Sequence, residues 1–359
     1  MAGGRLCRGE RRAPRPLRLG RFWHDREPAE IYEPFNLLHR HQMMENEPPD
    51  HTRLRSLVAK AFARGHVERL RPAVAAEAAA LLKAAAPEFD LLADFAEPLA
   101  VTVIAELLGV PAPDRHRLRP WSAALVRMYE VSPPQEAEVA ALTACREFAA
   151  YMSDLAARRR ADPRDDLVSH LVAVRDGTDR LSAEELVASA ILLLNAGHEA
   201  SVNTLGGGMV ALLRHPAQLA RLRADRTLLP TATEEMIRYD APLHLFTRTA
   251  AADVPLPGAT IPALGAEVAA LIGAANRDPA TFPNPDTFDI ARDPNPPTWA
   301  SAPASTSASA PPLARIELQA AVTALLNHTP TLALTADPVR RPTFVLRAYN
   351  TVPLTTRSS

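Results

Sequence analysis

A chain of 359 residues with 47 % apolar and 23 % charged residues can bury a sizeable core in one large domain or two, and it reads as globular. Its net charge of −1 supplies no general attraction for nucleic acid or anionic lipid, and its two cysteines, Cys7 and Cys145, lie too far apart for a disulfide framework or a zinc site. No apolar run reaches the roughly 18–20 residues of a membrane span, since the best candidate, Ala188 to Ala196, is soon interrupted by His198 and Glu199; the expected compartment is a reducing one, the cytoplasm.

The chain opens on a cluster of arginines, Arg5, Arg8, Arg11, Arg12, Arg15, Arg18 and Arg21. Residues 1–21 read as a disordered leader, with a transit peptide or basic arm as alternatives. An acidic-aromatic segment, Arg26 to Phe35, and the turn Glu47-Pro48-Pro49-Asp50 lead to a helix from about His51, capped by Asp50. His51 and Arg55, four apart, share a face of that helix and can grip one anion or form a solvated basic face. Helices are expected over His66 to Ala86 and over Leu91 to Leu108, the second closed by Gly109-Val110-Pro111. Pro120 to Tyr129 and Pro134 to Arg160 form a helix pair about a proline turn, an arrangement suited to a lid. Asp165 to Val174 is a shorter helix.

Ser182 to Arg214 is the longest helix. Ser182 and Glu185 form a capping box, and Leu186, Ala190, Leu193 and Leu194 recur at helical spacing while Ile191 and Leu192 fill the other sides. Such a helix belongs in the core. Ala196-Gly197-His198-Glu199-Ala200-Ser201 then places a glycine, two ionisable groups and a hydroxyl at its centre, where burial of charge needs a reason unless His198 and Glu199 follow an exposed edge.

Pro216 to Arg223 and Leu228 to Tyr239 are helical, and Glu235 and Arg238, three apart, can pair; a surface pair of that kind contributes little. Short strands follow at Leu243 to Ala250, Val254 to Leu256 and Thr260 to Pro262. Asn276 to Asn295 is an ordered coil tied down by Phe282 and Phe288, Pro312 to His328 is a last helix, and Thr331 to Pro353 holds terminal strands. The fold class is mainly α with small β-sheets.

Ala196 to Ser201, Glu235-x-x-Arg238 followed by Ala241-Pro242 and Arg248, and Phe282-x-x-Pro285-x-x-Phe288-Asp289-x-x-Arg292 together resemble the bacterial cytochrome P-450 family of haem-thiolate monooxygenases, over about residues 22–296 and 312–353. The resemblance implies that fold, incomplete at the N-terminus, in a single domain over 22–359. It implies haem b, with His51, Arg55 and Arg248 on the haem propionates. It assigns Glu235, Arg238 and Arg292 to a structural ion-pair triad, Gly197 to a loosened helix turn that leaves a groove for dioxygen, and Glu199 to the proton relay. Ala200 stands where many members carry threonine, so Ser201, water or substrate must supply the alcohol. The implied activity inserts one oxygen atom from O2 into an apolar small-molecule substrate. Electrons are implied to come from a ferredoxin and ferredoxin reductase or a similar donor, with no role for nucleic acid or membrane.

One departure is large. The family requires a cysteine thiolate on the iron, yet residues 297–312 read PTWASAPASTSASAPP, with no Cys, His, Gly or Phe. The expected ligand is absent, although Leu313-Ala314-Arg315-Ile316-Glu317 continues like the family's next helix. The segment is either a flexible Ala/Ser/Pro insert or the wrong reading frame. Codons for Pro297 to Pro311 exist whose neighbouring frame reads His-Leu-Gly-Phe-Gly-Ala-Gly-Ile-His-Phe-Cys-Leu-Gly-Ala, the family's ligand loop. Gly4 to Pro16, shifted the other way, allows Ala-Gly-Tyr-Ala-Ala-Val-Ser-Ala-Val-Leu-Arg-Asp-Pro, which looks like a family helix. The expectation is therefore a translated monooxygenase gene with two local frame disruptions and a lost N-terminal portion, inactive as written. The alternative is a haem-free accessory protein that activates a partner enzyme such as a glycosyltransferase.

Overall fold

The computed structural model describes residues 19–20, 25–62, 66–130, 132–256, 258–261, 266–293 and 311–357. Thirteen α-helices and ten short strands run through them in the order of the sequence. Before the long central helix come α1 (Ala29–Arg40), α2 (Asp50–Phe62), α3 (His66–Arg69), α4 (Arg71–Ala84), α5 (Glu97–Leu108), α6 (Leu118–Val126), α7 (Gln135–Ala161) and α8 (Leu167–Ala173). The central helix is α9 (Ala183–Arg214), followed by α10 (Pro216–Ala224), α11 (Leu229–Tyr239), α12 (Ile272–Ala275) and α13 (Pro311–His328).

Proline decides where several of these helices restart, because its ring fits a first helical turn but not a helix interior. The helix expected over His66 to Ala86 breaks at Leu70, and α4 begins with Pro72 in its first turn. The helix expected over Leu91 to Leu108 begins instead as a π-helical stretch, Leu91–Ala96, with Asp90 accepting from the Leu92 and Ala93 N–H groups at 2.9 Å; α5 starts only where Pro98 enters. Gly109, at φ 75°, closes α5 as its sequence position predicts. The segment Arg26 to Phe35 contains a helix that its acidic-aromatic composition hides: α1 carries Pro34 internally, yet buries Phe35, Leu38 and His39.

Sheet is confined to small antiparallel pairings. The strands are β1 (Leu19–Gly20), β2 (Glu88–Asp90), β3 (Leu245–Ala250), β4 (Val254–Leu256), β5 (Ala259–Ile261), β6 (Glu267–Leu271), β7 (Ala333–Leu334), β8 (Val339–Arg340), β9 (Tyr349–Thr351) and β10 (Pro353–Thr355). They form two three-stranded sheets, β1-β3-β6 and β2-β10-β7, and the two pairs β4-β5 and β8-β9. In the first sheet Arg248 lies opposite Val268. Within the segment expected to be a leader, Leu19 and Gly20 pair with Ala250 and Thr249, while the rest of 1–21 and the replaced loop 297–310 lie outside the described residues.

All of this is arranged about α9. Its capping box is present: Ser182 Oγ accepts from the Glu185 N–H at 3.1 Å and Glu185 Oε2 accepts from the Ser182 N–H at 2.8 Å. The helix then packs against α5, α6, α7, α11 and α13, and between Leu186 and Leu212 every residue but Ala196 and Ala200 is buried. Contact with α11 is closest at Gly208, where an added Cβ would stand 2.7 Å from Met236 Cβ. At Gly197 the nearest neighbour is the mobile tip of Ile104, Cδ1, at 3.1 Å.

These two glycines should therefore respond oppositely to alanine. Overpacking costs about 1–3 kcal/mol against a helix-propensity gain of about 1 kcal/mol. Gly208→Ala is expected to lower the urea midpoint of unfolding, because Met236 Cβ cannot swing aside. Gly197→Ala is expected to leave the midpoint unchanged or raise it.

Candidate functional site

The middle of α9 is where a buried helix opens. Ala196 is exposed and Ala200 half-buried, one turn apart on one face, while Gly197, His198, Glu199 and Ser201 beside them are buried. Two methyl groups left accessible within a core helix mark a place where a flat apolar ligand could lie. Ala196 opens the motif Ala196 to Ser201, and its own signal there is a small side chain rather than a chemical group.

His198 and Glu199 do not follow an exposed edge. They retain only 3 % and 8 % of their accessible surface. Glu199 Oε2 lies 3.9 Å from Arg341 Nη1, and Glu199 Oε1 lies 3.8 Å from His198 Nδ1. Burial raises the Glu199 carboxyl above the ordinary range, against the opposing pull of Arg341, Asn203 and Arg119. Asn203 faces this carboxylate one turn on, but its Nδ2 falls outside hydrogen-bond geometry. Burial also pushes the His198 imidazole down to about 4, helped by Arg119 and Arg341, so it is neutral at pH 7 with both ring nitrogens unpartnered. Along α9 there is no break in the α-helical pattern at Gly197; the loosening the resemblance implies there is replaced by the absence of a side chain.

Ser201 turns toward α13. Its hydroxyl faces Glu317, a wholly buried carboxyl that desolvation pushes up to about 8 against a smaller lowering by Ser201. The Ser201 Oγ falls short of hydrogen-bond geometry, so proximity rather than a formed bond connects the two. Glu317 is a functional candidate that sequence reasoning passed over. The available signal was a lone carboxylate among Ile316, Leu318 and Ala321, on a helix that has to pack against α9.

On α2, His51 is 5 % exposed and its Nε2 has no partner, whereas Arg55, one turn on, is half-buried. The helix face is thus an inward one at His51 and not a solvated basic surface. Arg248 sits on β3, its Nη1 donating to the Thr247 carbonyl at 2.8 Å and its guanidinium 5.3 Å from the Phe246 ring centroid. His51 and Arg248 thus stand on separate elements, α2 and β3.

The third group is brought together in full. Arg238 donates to Glu235 through Nε at 2.7 Å and Nη2 at 2.9 Å, and Arg292 Nε donates to Glu235 Oε2 at 3.1 Å. Glu235 also accepts from the Asp289 N–H at 2.9 Å. The remaining guanidinium donors go to carbonyls of the coil: Arg238 to Asn276 and Pro285, and Arg292 to Pro283 and Thr287, at 2.7–2.9 Å. The expected surface pair is in fact buried, with Glu235 and Arg238 side chains 1 % exposed. Three hydrogen-bonded charges locking irregular backbone are a structural device.

A haem group would be served at one end and not at the other. The orphaned His51 Nε2 and the open face at Ala196 and Ala200 suit an anionic, flat, largely apolar ligand. For the iron, residues 297–312 contain no cysteine. Cys145 lies fully buried in α7, its thiol pushed up to about 12 by desolvation, and no metal-binding cluster of three or more His, Cys, Asp or Glu exists among the described residues.

Residues 125–293 match the profile of the family described as Cytochrome P450. Among curated relatives, the cytochrome P450 monooxygenase PikC of Streptomyces venezuelae is 44 % identical over 323 residues, 88 % of this chain and 76 % of that protein. The 6-deoxyerythronolide B hydroxylase of Saccharopolyspora erythraea is 41 % identical over 315 residues, covering 86 % and 76 %. Among solved structures, P450BioI in complex with hexadec-9Z-enoic acid ligated acyl carrier protein superimposes with a TM-score of 0.88 at 34 % identity, over 95 % of this chain and 87 % of the other.

The titration of Glu317 has a measurable consequence. Its folded pKa of about 8 lies above the unfolded carboxylate value, so its contribution to stability is fully present below about pH 4.5 and is lost as pH rises through 8. Glu317→Gln removes that titration. The variant is expected to be more stable than the parent at pH 8, by roughly 3–5 kcal/mol, with the advantage gone at pH 4.5. Urea unfolding midpoints of both chains across this range provide the measurement.

Proposed function

The chain belongs to the cytochrome P450 family, and from that membership we propose that its gene lineage encodes a monooxygenase of secondary metabolism that inserts one oxygen atom from O2 into an apolar small molecule. We further propose that the polypeptide as written is inactive, because residues 297–312 contain no cysteine. The single observation that carries the catalytic reading is the opening at Ala196 and Ala200 in an otherwise buried α9, flanked by the raised carboxyl of Glu199.

When bound through a thiolate, haem supplies the activation of dioxygen and its transfer to carbon. The residues of this chain do the positioning and the proton work. His51, with Arg55 and Arg248, would hold the haem carboxylates by charge-assisted hydrogen bonds, and the buried His51 Nε2 has no partner within the chain to compete. Glu199 is the proton carrier beside the opening; burial favours its neutral form while Arg341 opposes it, so neither form is strongly locked in. Ala200 has no hydroxyl, so Ser201 is the nearest alcohol along the helix. Glu317 beneath it is neutral at pH 7 and faces Ser201 Oγ without a formed hydrogen bond. Gly197 leaves room beside Ile104. Glu235, Arg238 and Arg292 act only by holding the coil 276–293 in place.

The relative named for 6-deoxyerythronolide B supports an apolar product of secondary metabolism as the substrate class. Two electrons come from a ferredoxin and ferredoxin reductase or a similar donor. The haem-free accessory reading has no observation of its own, and the inward, unsatisfied His51 weighs against it.

The chain as written, supplied with haem, reduced and exposed to CO, is expected to lack the absorption band of thiolate-bound haem. Restoring the ligand loop by correcting the frame over residues 297–311 is expected to produce it. A band from the unaltered chain would overturn the inactivity, and coding DNA with an unbroken frame unable to encode the loop would overturn the frame explanation.

A further inference from the structure

One stripe of α2 is tied to the start of α9. Arg53 donates to Glu185 through Nη1 at 3.2 Å and through Nη2, and Arg53 Nη1 also lies 3.6 Å from Asp179 Oδ1. Further along the same stripe, Ser56 Oγ donates to Asp176 Oδ2 at 3.1 Å and Lys60 Nζ lies 2.7 Å from Asp176 Oδ1. The turn that carries both aspartates is closed by two backbone hydrogen bonds between Asp176 and Asp179, at 3.0 and 3.1 Å, with Gly177 at φ 62°. A tight turn and a capped helix end therefore face α2 with three carboxylates.

Glu185 is shared between two tasks. Its Oε2 accepts from the Ser182 N–H at 2.8 Å, closing the capping box of α9, while Arg53 binds both of its oxygens. Burial raises the Glu185 carboxyl, but the hydrogen bonds from Arg53 and the Ser182 N–H outweigh it and hold the group below the ordinary carboxylate range. Along the unbroken helix, Glu185, Ser189, Leu192 and Ala196 lie on one face, and Glu185 precedes Ala196 by three turns, about 16 Å of axis. The carboxylate that grips α2 thus stands on the face of α9 that opens at Ala196 and Ala200. On α2, Arg53 lies between His51 and Arg55. Its hold fixes the rotation of that helix about its axis, and with it the direction of those two side chains.

We propose that Glu185 is a positioning residue for the anion-binding face of α2: through Arg53 it holds that helix against the open face of α9, so that His51 and Arg55 meet the carboxylates of the ligand lying there. A carboxylate is an unfavourable neighbour for an anionic ligand, and by charge alone Glu185 would weaken the binding that His51 and Arg55 provide. Its gain lies in geometry. A bidentate guanidinium–carboxylate pair fixes orientation as well as distance, and a hydrogen bond weakens steeply when its donor turns away. The two effects of Glu185 on a bound anion have opposite signs, which makes them separable. The ligand is that of the function proposed above, so the inference rests on that reading.

The test uses the full-length chain and no iron. Protoporphyrin IX, which carries two carboxylates, and its dimethyl ester, which carries none, are titrated against the parent and against Glu185→Gln, a change that keeps a capping-box acceptor and removes the charge. Glu185→Gln is expected to weaken protoporphyrin IX binding by about tenfold, the equivalent of one charge-assisted hydrogen bond, and to leave the ester unchanged. Arg53→Gln is expected to do the same, and the double variant to lose no more than either alone. In the unliganded chain, hydrogen exchange of the α2 amides is expected to quicken in both single variants, with circular dichroism matching the parent. Tighter protoporphyrin IX binding by Glu185→Gln, equal losses for the acid and the ester, or α2 exchange at the parent rate would overturn the inference. Quickened α2 exchange in variants of a parent that binds neither porphyrin would sink the functional reading while leaving the hold of Glu185 on α2 intact.

Discussion

Burial of α9 on nearly every side is the constraint from which the rest of the molecule follows. A helix enclosed by α5, α6, α7, α11 and α13 has no water to stabilise charge along its length. Carboxyls on it or packed against it must gain proton affinity and imidazoles must lose it, and Glu199, Glu317 and His198 all move in those directions with burial as the first cause. The same enclosure makes the one gap, at Ala196 and Ala200, chemically special. The groups that border it have proton affinities displaced by burial, upward for Glu199 and downward for His198.

Two kinds of buried charge coexist, and their pairing separates them. Glu235 accepts from two arginines and a backbone N–H, and both guanidiniums spend their other donors on carbonyls of the coil 276–293. Nothing there is left to react, which is what a rigid clamp requires. Glu199 is held more loosely, with Arg341 and His198 each nearly 4 Å away. An under-paired acid in a dry site can change protonation at modest cost, and functional groups are drawn from that class.

The sequence was legible where a single rule dominates. The capping box at Ser182, the apolar run of α9, the closing Gly109 and the proline-rich coil all follow from local chemistry, and they fix most helices to within a few residues. It was illegible where two rules compete. Pro34 and acidic residues masked α1, and Pro72 and Pro98 divided helices that periodicity alone would join. The edge strand β6 has no distinctive alternation, and its place depends on pairing with β3. In the site, the motif residues were readable as types, but burial was not. Glu235 and Arg238 look like a surface pair, and Glu317 looks like an ordinary helix carboxylate, until the packing of α11 and α13 encloses them. Arg53 and Glu185 are farther apart in sequence than any local pattern reaches, and only the folding of α2 against the start of α9 brings them together.

The defect at 297–312 contrasts with the condition of its surroundings. Immediately after it, Arg315 donates to Glu234 at 2.5 Å across to α11, Ile316, Leu318 and Ala321 are buried, and Glu317 remains enclosed against Ser201. Immediately before it, Arg292 keeps all its carbonyl partners. Gradual loss of function by substitution would erode the buried carboxyls of the proton path along with the ligand, since Glu199 and Glu317 are costly to bury. A pair of opposed frame slips does something else: it rewrites every residue between them and none outside. A replaced segment between intact neighbours is the pattern that the proposed frame slips would leave.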